Sequence, residues 1–150
     1  TTVGTLGTSS EQIYIDNRTG GLTNGWDVTL AAVSPTDLWV NSGVGSTLSY
    51  DFNSPVGSGC TNGQMTINSS SATIDHGQDN TTDVSTGISK GSSTAFNQGT
   101  IDSVTLLSGA DNSDDSGDWT MQGITINQKI PAQQAIDTYS LHLVLTFIAR

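Results

Sequence analysis

The sequence predicts an all-β chain, folded as a single antiparallel β-sandwich of Greek-key, Ig-like or barrel-like kind, with essentially no helix. Three observations carry this. Apolar residues recur in short alternating runs, as a strand with one buried face requires. Clusters of Gly, Asn, Asp and Ser separate those runs, supplying turn chemistry at regular intervals. No window sustains helical periodicity, and "PAQQAID" (Pro131 to Asp137) makes a single turn at most. With 150 residues, 33% of them hydrophobic and 12% charged, the chain can build one core and is too short for two ordinary domains. Residues 1–150 are therefore read as one domain.

The elements follow in order. Residues 1–12, rich in Gly and Thr and free of helix signals, read as an extended segment able to act as a donor strand. "EQIYID" sets Ile13 and Ile15 on one face and Tyr14 on the other. "RTGGLTNGW" is dense in turn formers. In "WDVTLAAV", Trp26, Val28, Leu30 and Ala32 share a face opposite Asp27 and Thr29. "TDLWV" and "STLSYDF" are short strands, the second aligning Leu48, Tyr50 and Phe52. "QMTINSSSATID" reads as a weaker strand or a pair of strands, and residues 75–99 as a long excursion or hairpin. "TIDSVTLLSG" returns to the β pattern, "DNSDDSGD" is an acidic loop, and "WTMQGITINQKI" precedes the last strand. In that strand Tyr139, Leu141, Leu143, Leu145 and Phe147 line one face, expected to lie in the core. The other face runs Ser140, His142, Val144, Thr146, Ile148. It begins polar and ends apolar, so both faces need cover towards the end, as in a central strand or one paired with a neighbouring molecule.

Charge narrows the function. The net charge is −10, with 14 acidic residues against Arg18, Lys90, Lys129 and Arg150. No basic stripe exists to neutralise phosphates, which argues against nucleic acid, and an anionic membrane surface would repel the chain. All acidic residues but Glu11 are Asp, which suits turns and disfavours helices. Cys60 is alone, so neither an internal disulfide nor a cysteine metal cage can form. The start "TTVGTLGTSS" reads as a mature N-terminus, and the hydroxyl-rich, Lys-poor composition suggests export.

Two segments together resemble the WxL domain, a surface module of Gram-positive bacteria. "IDNRTGGLTNGWDVTLAA" (Ile15 to Ala32) is similar to that family's N-terminal stretch, a strand, an Asp-containing turn, then Gly-Trp-x-(Leu/Val)-Thr. "GDWTMQGITINQKIPAQQAIDTYSLHLVLTF" (Gly117 to Phe147) is similar to its terminal segment, Ile-Pro-Ala, a spacer, Thr-Tyr and a long alternating strand. Trp26, Val28 and Trp119 are the WxL-like positions. The motifs are relaxed: the proximal one reads Trp26-Asp27-Val28, and Thr146-Phe147-Ile148 stands where the distal Trp-x-Leu is expected. The resemblance implies a β-sandwich and, more loosely, attachment to peptidoglycan and participation in surface complexes.

Several constellations bear on chemistry. "GISKG" (Gly87 to Gly91) matches Gly-x-Ser-x-Gly, with His142 later in the chain. That motif needs a strand-to-helix turn, and no helix pattern follows Ser89. His76 lies among Asp75, Asp79 and Asp83, where a solvated acidic loop accounts for the pattern without metal. In "DNSDDSGDW", oxygen-bearing Asp111, Ser113, Asp114, Asp115 and Asp118 cluster around Gly117. Such clustering suits calcium, which wraps itself in carboxylates and carbonyls, although an exposed hairpin loop is the default reading. No other cofactor is expected. Trp26 and Trp39 read as core, and Trp119, beside the acidic loop, as the exposed aromatic a sugar would stack on. Asn17, Asn68 and Asn80 begin glycosylation sequons.

The expected function is that of a non-catalytic extracellular cell-surface structural protein. Its apolar closing strand must be paired to avoid aggregation, and strand complementation between copies of itself or related surface proteins would build a pilus-like filament or layer. The alternative is an adhesion module binding cell-wall polysaccharide or another glycan. A Ser89 hydrolase is the weakest reading, because His, Cys, Glu and Lys are so scarce.

Overall fold

The computed structural model describes residues 1–17, 25–43, 48–55, 61–77, 87–110, 117–132 and 134–150. Among them are β1 (Thr2–Leu6), β2 (Ile13–Asn17), β3 (Trp26–Ala32), β4 (Leu38–Asn41), β5 (Ser49–Asp51), β6 (Gln64–Asn68), β7 (Thr73–His76), β8 (Ile88–Lys90), β9 (Ser93–Ala95), β10 (Ser103–Gly109), β11 (Gly117–Gln122), β12 (Ile124–Lys129), β13 (Tyr139–Ser140) and β14 (Leu143–Ala149). The one helical element among the described residues is a 3-10 turn at Ser69–Ser71. The strands form antiparallel sheets in the orders β1-β12-β6-β9, β2-β11-β7, β14-β3-β10-β8 and β13-β4-β5. No sheet closes into a barrel, and the all-β sandwich-like class holds.

Two of these sheets are halves of one bent layer. β1 runs on into β2, β6 into β7 and β11 into β12, each path keeping its lateral place as it passes from one sheet to the next. The bend has a backbone cause. Gly7 and Gly123 both sit at φ 79°, where a side chain is strained, and the Gly123 N–H donates to the Gly7 carbonyl at 2.9 Å. A Cβ on Gly7 would lie 3.0 Å from the Met121 carbonyl oxygen and from the Gln122 Cα. The third path turns beside them through the 3-10 segment, whose Ser71 hydroxyl donates to the Gly123 carbonyl at 3.1 Å. The other two sheets are joined in the same manner, by β3 leading to β4 and β13 leading to β14.

The layers meet on a core of Trp26, Val28, Leu30, Phe52, Met65, Ile67, Phe96, Leu106, Leu107, Trp119, Met121 and Ile124. The β3 alternation read from sequence is what the structure buries. Trp26 reaches across to Trp119, ring centroids 5.3 Å apart, and Phe52 meets Phe96 edge-on at 5.2 Å. Two backbone devices make room. β10 slips register against β3 between Thr105 and Leu107, a bulge that lets the adjacent Leu106 and Leu107 both be fully buried. Gly109 lies against the Trp26 indole, where an added Cβ would collide with its nitrogen.

Three expectations are corrected. The closing strand is not continuous: Tyr139 belongs to β13 and pairs with Asn41 of β4, whereas Leu143 begins β14 and pairs with Ala32 of β3. The chain changes sheet at Leu141 and His142, but the alternation carries across the break. Tyr139, Leu141 and Leu143 are partly buried between exposed Ser140 and His142, Leu141 and Leu143 pack against the core, and Phe147 stacks on Trp26. Nor is β14 central; it is an edge, and Leu145 and Phe147 each remain 45% exposed. Finally, Trp119 is wholly buried, because its register against Ile15 on one side and His76 on the other turns its side chain inward.

Candidate strand-docking site

β14 pairs with β3 through seven consecutive residues, Leu143↔Ala32 to Ala149↔Trp26, with no register shift. Its far end is tied down. The Arg150 N–H donates to the Gly25 carbonyl at 2.9 Å, its guanidinium donates to the Gly109 carbonyl at 2.8 Å, and it lies 3.3 Å from the Asp27 carboxylate. The Gly25 bond also sets parity. In an antiparallel ladder, alternate residues bond to one neighbour. Arg150, Ile148, Thr146 and Val144 therefore address β3, while the N–H and C=O groups of Leu143, Leu145, Phe147 and Ala149 point to the open side.

The side chains on that edge are apolar on both faces: Val144 and Ile148 outside, Leu145 and Phe147 inside, all 43–45% exposed. Beside the inner pair runs a groove of ≈310 Å³, lined by Ile13 to Asp16 of β2, Val28 of β3 and Leu145 to Phe147 of β14. β2 is itself the edge of its sheet, so the groove is an open seam between two sheet edges. Its deep wall is aromatic. Phe147 stacks on Trp26 at 5.4 Å, and Trp26 packs in turn on Trp119. Neither indole N–H has a hydrogen-bond partner among the described residues; packing alone sets these rings.

Other edges carry the devices that discourage pairing. β8 and β9 have three residues each, and β13 has two. β2 presents Asp16, β5 Asp51 and β7 Asp75, and β1 has Gly4 at its centre. Among the edges of the described residues, β14 is the longest, and it is uncharged, unbulged and without Pro.

β1, the expected donor segment, is paired within its own chain, Thr2↔Gln128 to Leu6↔Ile124. It holds on by one side and leaves Thr2 to Thr5 exposed.

The remaining candidates are spread out. Trp26 and Val28 of the WxL-like set lie in the core with Trp119. Trp39 is half-buried, stacked on Tyr50 at 6.2 Å, with its indole donating to Gln128 Oε1 at 3.0 Å. No freely exposed indole is left to form a sugar platform. Of the calcium candidates, Asp111, Ser113, Asp114 and Asp115 lie outside the described residues. Asp118 is buried in β11, accepting a hydrogen bond from the Tyr14 phenol at 2.8 Å. Among the described residues no three His, Cys, Asp or Glu side chains converge. His76 lies 3.0 Å from Asp75, and Asp79 and Asp83 fall outside the described residues. Ser89 is on β8 and His142 precedes β14, at opposite edges of one sheet. Asn17, a sequon residue, is buried to 3%, enclosed by its pairing with Gly117; Asn68 is half-buried, and Asn80 and Cys60 lie outside the described residues.

Two groups in the neighbouring sheet have displaced acidities. Hydrogen bonds from the Asn41 amide at 2.8 Å and the Thr138 N–H at 2.7 Å hold Asp137 below the usual carboxylate range. Burial, and then the nearby Tyr139, push the Tyr50 phenol above its ordinary value. Asp137 precedes β13, the strand that leads into β14, and Tyr50 lies on β5 of the same sheet as β13.

Comparison with family models, curated proteins and solved structures finds no match in any of the three. No helix among the described residues is long and apolar enough to cross a membrane.

Proposed function

We propose that this chain is a non-catalytic structural protein of the cell surface that assembles through β-strand complementation into a filament or layer. The observation that carries the reading is the β14 edge, seven residues with unpaired backbone groups and apolar side chains on both faces beside an open seam. An edge of that kind needs a partner strand, and surface assemblies supply one from the next subunit. The partners are copies of the chain or related surface proteins, and the hydroxyl-rich, Lys-poor composition supports an extracellular location.

Magnitudes support assembly by repetition. Fully burying a Val, Leu, Ile or Phe side chain yields ~1.5–3 kcal/mol. Covering the exposed parts of Val144, Leu145, Phe147 and Ile148 on two partners thus yields on the order of 5–10 kcal/mol. Association itself costs ~4–15 kcal/mol. One such contact is marginal at low concentration, and an array of them holds more firmly. β1 supplies a second link: little of it is buried at home, and a strand joined through Gly7 can pair with β12 of a neighbour in the same register, a low-cost exchange.

The test is light scattering and electron microscopy of the full chain over a wide concentration range. Concentration-dependent assemblies are expected, reduced by Val144→Lys or by deletion of residues 1–7 with the β signature intact. A chain that stays monomeric throughout refutes the reading.

A further inference from the structure

We infer that the strand which covers β14 is β14 of a second copy, paired antiparallel about a two-fold axis through Thr146. The inference rests on the assembly reading above and fixes its occupant and register. In the seven residues Leu143–Ala149, Thr146 is the centre. A two-fold pairing there sets Thr146 against itself, Leu145 against Phe147, Val144 against Ile148 and Leu143 against Ala149. Each apolar residue meets an apolar residue, and the one polar residue meets its own copy, a favourable Thr–Thr cross-strand pair. Other two-fold registers leave part of β14 unpaired.

The backbone agrees. Because Arg150 bonds to Gly25, the groups facing the open side belong to Leu143, Leu145, Phe147 and Ala149, and these residues oppose one another in the proposed register. They exchange hydrogen bonds as direct pairs, while Thr146 and its copy form a non-hydrogen-bonded pair with side chains close together. Odd-numbered residues of the second strand fall on the inner side, so its Leu145 and Phe147 cover the groove between β2 and β14.

Charge favours the same contact. Each copy carries a net −10, so copies approach most easily where few carboxylates are presented, and the groove's one acidic lining residue is Asp16 of β2. β14 has no ionisable side chain, and Arg150 at its end is already engaged by Asp27. The same patch on both partners generates a closed dimer, the commonest form of association. Joined at this edge, two four-stranded sheets become one continuous sheet, leaving β1 on another sheet free to exchange.

The register is testable by cross-linking. In a Cys60→Ser background, Thr146→Cys, Val144→Cys and Ile148→Cys are prepared singly and oxidised mildly. The Thr146→Cys protein should form a covalent dimer in high yield, since non-hydrogen-bonded pairs bring Cα atoms within disulfide range. Val144→Cys and Ile148→Cys should each give little alone and a heterodimer when mixed. Thr146→Lys, at an exposed position, should at least halve the mean mass seen by light scattering while leaving the circular dichroism unchanged. If Thr146→Cys fails to cross-link, or all three link equally, in protein that light scattering shows to be assembled, the two-fold pairing is wrong while self-assembly stands, and exchange of β1 becomes the route. A monomeric protein at every concentration removes both.

Discussion

β3 and β14 lie side by side in one sheet, both seven residues long and both rich in apolar residues. β3 buries Trp26, Val28 and Leu30 to 5% exposure or less, while β14 leaves Leu145 and Phe147 nearly half in solvent. Composition does not separate them. β3 has β10 on its other side and Trp119 packed on its inner face, whereas β14 has one neighbour and a seam. Apolar alternation tells which way side chains point; the number of neighbours decides whether they are covered.

That contrast can be measured. Trp26→Ala should have the largest effect, ~3–5 kcal/mol by chemical denaturation, because the indole is enclosed and a cavity remains. Phe147→Ala, one ring further along the same stack but half exposed, should cost ~1–2 kcal/mol in the monomer; equal losses would mean the edge is as well packed as the core. Between these falls Gly109→Ala, ~1–3 kcal/mol, since the new methyl presses on Trp26. Ile148→Lys, on the outer face of β14, should alter monomer stability by no more than ~0.5 kcal/mol while weakening assembly, so a large loss of stability would place that face in the core.

The smallest effect is at the turn feeding β13. Asn41→Ala removes one of the bonds that depress Asp137, and its carboxyl should titrate closer to the ordinary value of 3.8 by NMR. The sign follows from linkage: a depressed carboxyl stabilises the fold above its unfolded pKa, and that contribution disappears as pH falls through the lower folded value. An unmoved titration would show that the Thr138 N–H alone sets the shift.

Much of the architecture was legible in the residues. The alternation of β3, the Ile13/Ile15 face of β2 and the pair of strands around Ser69–Ser71 appear where the pattern put them. The corners were not, because Gly123 inside "MQGIT" looks like any glycine until Gly7 is seen opposite it. The bulge that buries Leu106 and Leu107 together is likewise invisible to a strict two-residue period. Trp119 misled through its acidic neighbours: local polarity suggested water, but pairing with β2 and β7 turns the ring inward. The candidate site was half legible. The apolar character of both faces of the last strand could be read, but the break at Leu141 and His142, which leaves β14 at an edge, depends on which sheet each half joins.

The proximity of the Trp26 and Trp119 indoles, 5.3 Å apart and tilted by 39°, has an optical consequence. Transition dipoles that close couple, so the folded chain should carry a split circular-dichroism band that vanishes as soon as the layers part. Trp39, stacked elsewhere on Tyr50, stands outside this couple and emits on its own account. The molecule thus contains its own gauge of whether its two halves are shut, readable without any attached dye.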